Sequence, residues 1–225
     1  MSVITISREF GSEGSLIAEK AAQALGYHLA DKATIEAILR PEYGTSEFLR
    51  EYGAAPGFWD RFDLHRMDRR QQMIEALNKA ILALARHGHT VIVGRGGFSV
   101  LEGLADVLHV RVQAPLPVRI QRVRELPEAG VASRAERFIQ ENDRVQKAFI
   151  ESVYGVPWDS AKRFDLVLDT GKLALDTAVA MLLLAVKALD AAPPKGLNLA
   201  SSLGVDHIYA ATIEELFHCA PASVG

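Results

Sequence analysis

The chain has 225 residues, 49% of them hydrophobic, and a formal net charge of −3. This length and hydrophobic content suffice for a full core and exclude a disordered chain, and the small negative charge argues against nucleic acid as a partner. The single cysteine, Cys219, excludes an internal disulfide and is typical of a reducing compartment, so we expect a cytoplasmic protein. The most apolar run, 173–189, includes Asp176 and Lys187 and is too short and polar for a membrane span, so no membrane partner is expected.

In chain order, short apolar or β-branched runs alternate with segments of helical periodicity. The predicted strands are 3–6, 27–30, 90–93, 107–112 and 166–169. The predicted helices are 16–25, 32–39, 60–87, 115–125, 133–154 and 173–189. Strands separated by helical crossovers predict an α/β fold with a parallel five-stranded sheet and helices on both faces.

The segment after the first strand is rich in glycine and reads Arg8-Glu-Phe-Gly-Ser-Glu-Gly-Ser15. A strand, a glycine-rich turn and a helix form an arrangement that binds phosphate, because the backbone can approach an anion and the first helical N–H groups point toward it. We therefore expect phosphate contacts from Gly11, Ser12, Gly14 and Ser15. The complete motif ends in Gly-Lys-Ser/Thr, whereas no lysine follows Gly14 here.

Further candidate residues follow the other strands. Ligands bind parallel sheets beyond the carboxyl ends of the strands, where the sequence places Asp31, Gly94, Arg95 and Asp169. Each has a simpler explanation as well, since a glycine can merely turn the chain and an aspartate can merely cap a helix, as Asp31 is expected to do. Their common edge favours a binding site over coincidence.

Two predicted helices on either side of Gly130 are rich in cations. These residues are Arg119, Arg122, Arg124, Arg134, Arg137, Arg144 and Lys147. They form either a solvated helix face with ion pairs one turn apart, or a hinged lid whose guanidinium groups close over a polyphosphate.

Five segments together resemble the cytidylate kinase-like branch of the P-loop nucleoside monophosphate kinases. They are Ile4-Thr-Ile-Ser-Arg-Glu-Phe-Gly-Ser, Val91-Ile-Val-Gly-Arg-Gly, Val110-Arg-Val-Gln-Ala-Pro-Leu-Pro-Val-Arg-Ile, Asn142-Asp-Arg and Phe164-Asp-Leu-Val-Leu-Asp-Thr. They occur in the family's order and cover about residues 1–188. The resemblance implies an adenylate-kinase-type core, ATP and Mg²⁺ as cofactors, and transfer of the γ-phosphoryl group to CMP, dCMP or a similar monophosphate.

The resemblance and the strand-end placement together imply a set of site residues. The expected catalytic residues are Arg95, Arg134, Asp143 and Arg144. The expected donor-binding residues are Gly11, Ser12, Gly14, Ser15, Arg119 and Lys147, with Ser15 also as a ligand of Mg²⁺. The expected acceptor-binding residues are Asp31, Gly94, Arg95 and Arg66.

Two departures from the family bear on activity. Cytidylate kinases end the loop in Gly-Lys-Gly-Thr, where this chain has Gly14-Ser-Leu-Ile, and Glu13 adds a negative charge that opposes phosphate binding unless its side chain turns outward. Ser12 or Ser15 could supply a hydroxyl to Mg²⁺, and Arg8 or a lid arginine could supply the missing positive charge. Two alternatives stay open: a degenerate kinase fold that senses nucleotides or binds a partner, and a kinase for another small molecule.

The same comparison predicts the organisation of the chain. A kinase-like domain is expected over 1–190, with an acceptor-binding insert at about 32–70 and a lid at about 127–147. A linker and tail are expected over 191–225, with a short helix around 213–218. Small-molecule nucleotides are the expected partners, and the sequence does not distinguish a monomer from a homo-oligomer.

Overall fold

The computed structural model describes residues 2–43, 64–125, 134–191 and 198–219, without the side chains of 41–43, 64–69 and 219. The strands are β1 (Val3–Arg8), β2 (His28–Ala30), β3 (Thr90–Val93), β4 (Val107–Gln113) and β5 (Leu166–Asp169). The α-helices of the described residues are α1 (Gly14–Leu25), α2 (Lys32–Tyr43), α3 (Leu64–His87), α4 (Gly97–Val100), α5 (Leu116–Arg124), α6 (Ala135–Tyr154), α7 (Leu175–Ala191) and α8 (His207–Cys219). Short 3₁₀ turns lie at Ala161–Arg163 and Ala200–Ser202.

The five strands form one parallel sheet in the order β2-β3-β1-β4-β5. The central strand β1 pairs on both sides, so that Val3 lies opposite Thr90 in β3 and Val107 in β4. Strands β1, β3 and β4 are almost wholly buried, as continuous apolar runs predict for a parallel sheet covered on both faces. The predicted fold class is confirmed.

Helices cover both faces of this sheet. Ile92 packs in the cluster formed with α2, α3 and α8, whereas its neighbours Val91 and Val93 pack in the cluster formed with α1 and α7. Successive side chains of a strand point to opposite faces, and β3 therefore supplies both layers of the core. The loops that carry the candidate site begin at the carboxyl ends of the strands.

The C-terminal helix α8 belongs to this core and is longer than the short helix expected around 213–218. Tyr209 and Ile213 are fully buried between α8, α2 and α3. Near the end of the helix, the ring of Phe217 stacks on that of His28 at 3.9 Å. The sequence prediction was too short because the partners that bury Tyr209 and Ile213 lie on α2 and α3, far away along the chain.

Several expectations fall wholly or partly outside the described residues. These are the greater part of the acceptor-binding insert (44–63), the side chain of Arg66, the first part of the lid (126–133), the linker (192–197) and the side chain of Cys219. In the described part of the chain, no helix is both long and apolar enough to cross a membrane.

Replacing Ile213 by alanine tests the packing of α8. The side chain is completely buried, so Ile213→Ala should lower the free energy of unfolding by about 2–5 kcal/mol through lost burial and the cavity left behind. The control is Ile208→Ala on the same helix, where the side chain is 47% exposed and the change should stay below about 0.5 kcal/mol. Urea unfolding followed by circular dichroism measures both, and equal effects would contradict this packing.

Candidate functional site

The loop between β1 and α1 has the backbone of an anion site. Gly11 and Glu13 both adopt left-handed conformations, with φ of 78° and 63°, which turns the chain sharply before α1. Helix α1 begins at Gly14, and its N-terminus has no side-chain cap. Its first backbone hydrogen bond of the α type runs from Ile17 N–H to the carbonyl of Glu13, so the preceding N–H groups of the first turn have no partner within the helix. These donors and the helix dipole attract negative charge.

The two serines of the loop differ in what their hydroxyls do. Ser12 is completely buried, and its hydroxyl donates to the carbonyl oxygens of Glu9 at 2.8 Å and Val112 at 3.3 Å. Ser15 is exposed in the first turn of α1, and its Oγ lies 3.4 Å from Nε of Arg8. Ser12 thus stabilises the loop, whereas the hydroxyl of Ser15 is accessible from solvent, and its role in binding stays a prediction.

Glu13 is neutralised by a cation from α5. Its carboxylate forms an ion pair with Arg122 at 2.9 Å, so the side chain turns toward α5. The same guanidinium donates to the carbonyl of Thr170 at 2.8 Å and to its hydroxyl at 2.9 Å. The hydroxyl of Thr170 in turn donates to the carbonyl of Ser12 at 2.8 Å. The predicted repulsion between Glu13 and phosphate is therefore reduced, and the loop is tied to the end of β5.

Arg119 of α5 lies buried beside the loop. One of its terminal nitrogens donates to the carbonyl of Phe10 at 3.1 Å and to the carboxylate of Asp143 at 2.5 Å. Its Nε donates to the carbonyl of Ala114 at 3.0 Å and lies 3.5 Å from the carboxylate of Glu9. The other carboxylate oxygen of Asp143 accepts the N–H of Phe10 at 2.9 Å. These contacts give Arg119 and Asp143 the geometry of positioning residues that hold the loop against α6.

Arg8 extends from the end of β1 across the first turn of α1. A Cβ added at Gly14 would lie 2.5 Å from the Cβ of Arg8, and one added at Gly94 would lie 2.4 Å from a terminal guanidinium nitrogen. Both glycines therefore make room for this side chain. Burial and the charge of Arg95 lower the pKa of Arg8 to about 10, and Asp31 raises it in part. The guanidinium of Arg8 stays protonated at neutral pH and lies near the charges of Arg95 and Asp31.

Arg95 lies in a tight turn that follows β3. It has a φ of 56°, between two glycines that also have positive φ, a conformation that costs an ordinary side chain of order 1 kcal/mol or more. A Cβ on Gly96 would clash with the ring of Tyr154, whose hydroxyl lies 3.5 Å from the carbonyl of Arg95. The turn is thus held by α6 from one side. Strained backbone of this kind is common at functional sites.

Asp31 follows β2 at the same edge of the sheet. Its carboxylate accepts the N–H of Thr34 at 2.9 Å and the Thr34 hydroxyl at 3.1 Å. The predicted helix cap is confirmed, since these bonds close the N-terminus of α2. A role in binding an acceptor stays a prediction.

The remaining cations of the predicted lid lie along α6. Arg134 is exposed where α6 begins, Arg144 pairs with Glu141 at 2.8 Å, and Lys147 lies 3.5 Å from Asp159. Each is at the surface, as a solvated helix face requires. Their roles as lid residues stay predictions.

The hydroxyl of Ser15 is the side-chain group that the sequence predicts as a ligand of Mg²⁺. Within the described ranges, no three side chains of His, Cys, Asp or Glu come together in a way that would hold a metal ion. Mg²⁺ keeps several waters and is usually bound by few protein groups together with substrate phosphates. An exposed Ser15 hydroxyl beside the uncapped first turn fits that mode, in which waters and phosphate oxygens supply the other ligands.

Sequence patterns missed three residues that hold the loop in place. Glu9 lies in the loop and contacts Ala114, whereas Arg122 of α5 and Thr170 after β5 reach the loop from up to 158 positions away along the chain. The sequence signal for Thr170 was its place after the last strand, and for Arg122 its place in a cationic helix. No local signal identifies Glu9, whose carboxylate accepts the N–H of Ala114 at 3.1 Å.

Comparisons with known proteins show the family of the chain. A model of the cytidylate kinase-like family matches residues 3–172. A curated cytidylate kinase from Pyrobaculum neutrophilum is 28% identical over 180 residues, covering 80% of this chain and 89% of its own. Another, from Methanopyrus kandleri, is 29% identical over 195 residues, covering 83% of this chain and 94% of its own.

Two solved structures show the same fold. An uncharacterized protein from Eubacterium ventriosum superimposes with a TM-score of 0.65 at 20% identity, over 84% of this chain and 99% of its own. The protein TT1252 from Thermus thermophilus superimposes with a TM-score of 0.52 at 20% identity, over 83% of this chain and 96% of its own. At this identity the likeness concerns the fold alone.

Removing the Asp143 carboxylate separates a positioning role from a purely catalytic one. Asp143→Ala should lower the free energy of unfolding by about 3 kcal/mol, because it leaves the buried Arg119 guanidinium without its 2.5 Å partner. The control is Asp176→Ala, since that carboxylate is 86% exposed and its pair with Lys20 is worth less than about 1 kcal/mol. Urea unfolding measures both, and an Asp143→Ala protein as stable as the wild type would contradict the positioning role.

Proposed function

We propose, on the premise that this chain belongs to the cytidylate kinase-like family, that it transfers the γ-phosphoryl group of ATP to a nucleoside monophosphate. The proposed acceptor is CMP or dCMP. The observation that carries the proposal is the meeting of three elements at one sheet edge. These are the uncapped first turn of α1, the guanidinium of Arg8 and the strained turn at Arg95.

The proposed donor site is the loop 11–15. The N–H groups of the first turn of α1 would bind the ATP phosphates, since they have no partner within the helix and carry the positive end of its dipole. The pair between Glu13 and Arg122 supports this placement, because it turns the one acidic side chain of the loop's second half away and neutralises it.

The proposed acceptor site lies one strand away, after β3. Gly94 and Arg95 would bind the phosphate of the monophosphate, since a planar guanidinium contacts two phosphate oxygens at once. Asp31, at the end of the neighbouring β2, would contact the sugar or base. The insert that includes Arg66 would complete this site, in keeping with its length and its position between β2 and β3.

The reaction needs positioning more than proton transfer. An oxygen of the ionised CMP phosphate forms a bond to the γ-phosphorus of ATP, and the bond from that phosphorus to the β,γ-bridging oxygen breaks. The electron pair of the broken bond remains on the β-phosphate, which gives ADP and CDP. The acceptor is already ionised at neutral pH, so the main task of the protein is to hold both phosphates in line and offset their charge.

Mg²⁺ is the expected metal, with the Ser15 hydroxyl as its protein ligand. When bound with ATP, it would neutralise phosphate charge at the β and γ positions. The exposed lid cations Arg134, Arg144 and Lys147 would add charge if α6 closes over the site, while Arg119 and Asp143 would hold the loop in place.

One sequence feature favours a second function, in which the chain binds nucleotides without transferring phosphate. The loop contains no lysine, and lysine ordinarily contacts the β- and γ-phosphates in such sites. A protein of this kind would serve as a nucleotide sensor. Transfer to another small-molecule acceptor is the third possibility, because the sequence of the acceptor-binding insert is not diagnostic of cytosine.

A substrate screen tests the proposed activity. Purified protein with Mg·ATP and each nucleoside monophosphate should form ADP, fastest with CMP or dCMP, as measured by coupled ADP release and chromatography of the products. Calorimetry with ATP, ADP and CMP in parallel separates the alternatives. Binding without turnover of any acceptor would favour a sensor, and no binding by folded protein would contradict every nucleotide function.

Arg95→Ala tests the acceptor site. Loss of a charged contact to phosphate is worth about 1.5–3 kcal/mol, so kcat/KM for the monophosphate should fall by roughly 10- to 150-fold while the affinity for ATP changes little. The matched control is Arg163→Ala, which removes an arginine paired with Glu102 ahead of β5, away from the carboxyl edge of the sheet. Unchanged acceptor kinetics in Arg95→Ala would remove this residue from the site.

A further inference from the structure

The backbone of the loop can be aligned with the complete phosphate-binding motif at the point where the helix begins. In the motif Gly-x-x-x-x-Gly-Lys-Ser/Thr, the second glycine directly precedes the helix. Glu13 directly precedes α1 here, and its φ of 63° is one that glycine ordinarily adopts. This register places Arg8 at the first glycine, Gly14 at the lysine and Ser15 at the Ser/Thr. It lies one residue earlier than the register that the sequence resemblance implies, in which Ser15 stood at the lysine.

In this register Arg8 and Gly14 are the two residues that depart from the motif, and the side chain of Arg8 lies where a side chain at position 14 would lie. A side chain at Gly14 would begin 2.5 Å from the Cβ and 3.0 Å from the Cγ of Arg8. Gly14 has no left-handed φ, so its backbone conformation suits other residues. With the arginine absent, the remaining close neighbour of such a side chain is the Cβ of Val112 at 3.2 Å, which must shift by a few tenths of an ångström. Arginine at the first position and glycine at the lysine position therefore belong together, since the stem of Arg8 fills the volume that a lysine would enter.

The guanidinium of Arg8 has no carboxylate partner in the described part of the chain. Its hydrogen bond there is the 3.4 Å contact from Nε to the Ser15 hydroxyl, and its terminal nitrogens lie beside Gly94. The nearby charge of Arg95 opposes its own, and the carboxylate of Asp31 offsets this repulsion only in part. A partly buried cation beside a second cation is costly unless an anion joins them, and a planar guanidinium suits two phosphate oxygens.

We propose that Arg8 is a catalytic residue that supplies the charge of the missing lysine, with its guanidinium on the β- and γ-phosphate oxygens of the bound nucleotide. This inference rests on the proposed kinase function and deepens it. The guanidinium of Arg8 lies between Ser15 of the donor loop and Gly94 of the acceptor turn. From there it would contact the phosphoryl group both before and after transfer. Arg8 remains protonated at neutral pH, so the charge is present throughout.

A reciprocal exchange of the two residues tests the proposal. The variants are Arg8→Gly, Arg8→Gln, Gly14→Lys and the double variant Arg8→Gly/Gly14→Lys, with Arg163→Ala as the arginine control. Calorimetry measures binding of ATP, inorganic tripolyphosphate and AMP, turnover gives kcat/KM, and thermal unfolding shows that each variant is folded. Arg8→Gln keeps the side-chain stem and guards against a packing defect in Arg8→Gly.

Both Arg8 single variants should bind ATP and tripolyphosphate about 10- to 100-fold more weakly, as expected for one charged phosphate contact, with little change for AMP. Gly14→Lys alone should also bind weakly, because its side chain meets Arg8. The double variant should recover most of the loss, since the lysine then enters the space that the arginine leaves.

Three results would overturn the proposal, and each has a distinct meaning. Folded Arg8→Gln that binds ATP as the wild type does would show that Arg8 contacts no phosphate, while the kinase function would stand. A double variant as weak as Arg8→Gly would refute the exchange with lysine. A wild-type protein that binds neither ATP nor tripolyphosphate would end the proposed function and this inference together.

Discussion

Arg119 joins three parts of the chain that the sequence keeps apart. Its guanidinium contacts the carbonyl of Phe10 in the loop, 109 positions away, and the carboxylate of Asp143 on α6. A buried charge of this kind is stable only when paired and hydrogen-bonded, so the loop, α5 and α6 must come together for any of them to be in place. The shape of the candidate site therefore depends on this contact as well as on the glycines of the loop.

The arginines near the loop differ in their surroundings, and their roles differ accordingly. Arg111, Arg119 and Arg122 are occupied by protein groups: Arg111 lies over the ring of Trp158 at 4.0 Å, and the other two hold the loop from α5. Arg8 lies at the carboxyl edge of the sheet, where the charge of Arg95 opposes its own and that of Asp31 offsets part of this repulsion. The first group stabilises the fold of the loop, whereas Arg8 places positive charge beside the first turn of α1, at the proposed phosphate site.

Much of the architecture could be predicted because its signals are local. Val91, Ile92 and Val93 form an apolar, β-branched run that is buried on both faces, and the helical periodicities between the strands identified the crossovers of a parallel sheet. Asp31 was recognised as a cap for the same reason, since its partner Thr34 is three residues away. The roles of Arg119 and Arg122 could not be predicted, because cationic helices look alike whether their charges face solvent or a buried carboxylate.

The sequence by itself determined the order of strands and helices, the glycine-rich loop at the end of β1 and the absence of its lysine, since spacing and residue type decide these features. Only the tertiary structure decided which arginines are buried in ion pairs, that Glu13 turns toward Arg122, and that Arg8 lies over Gly14 and beside Gly94. Such contacts join residues from separate strands and helices. Their distances depend on how the sheet is ordered and packed, which no local pattern records.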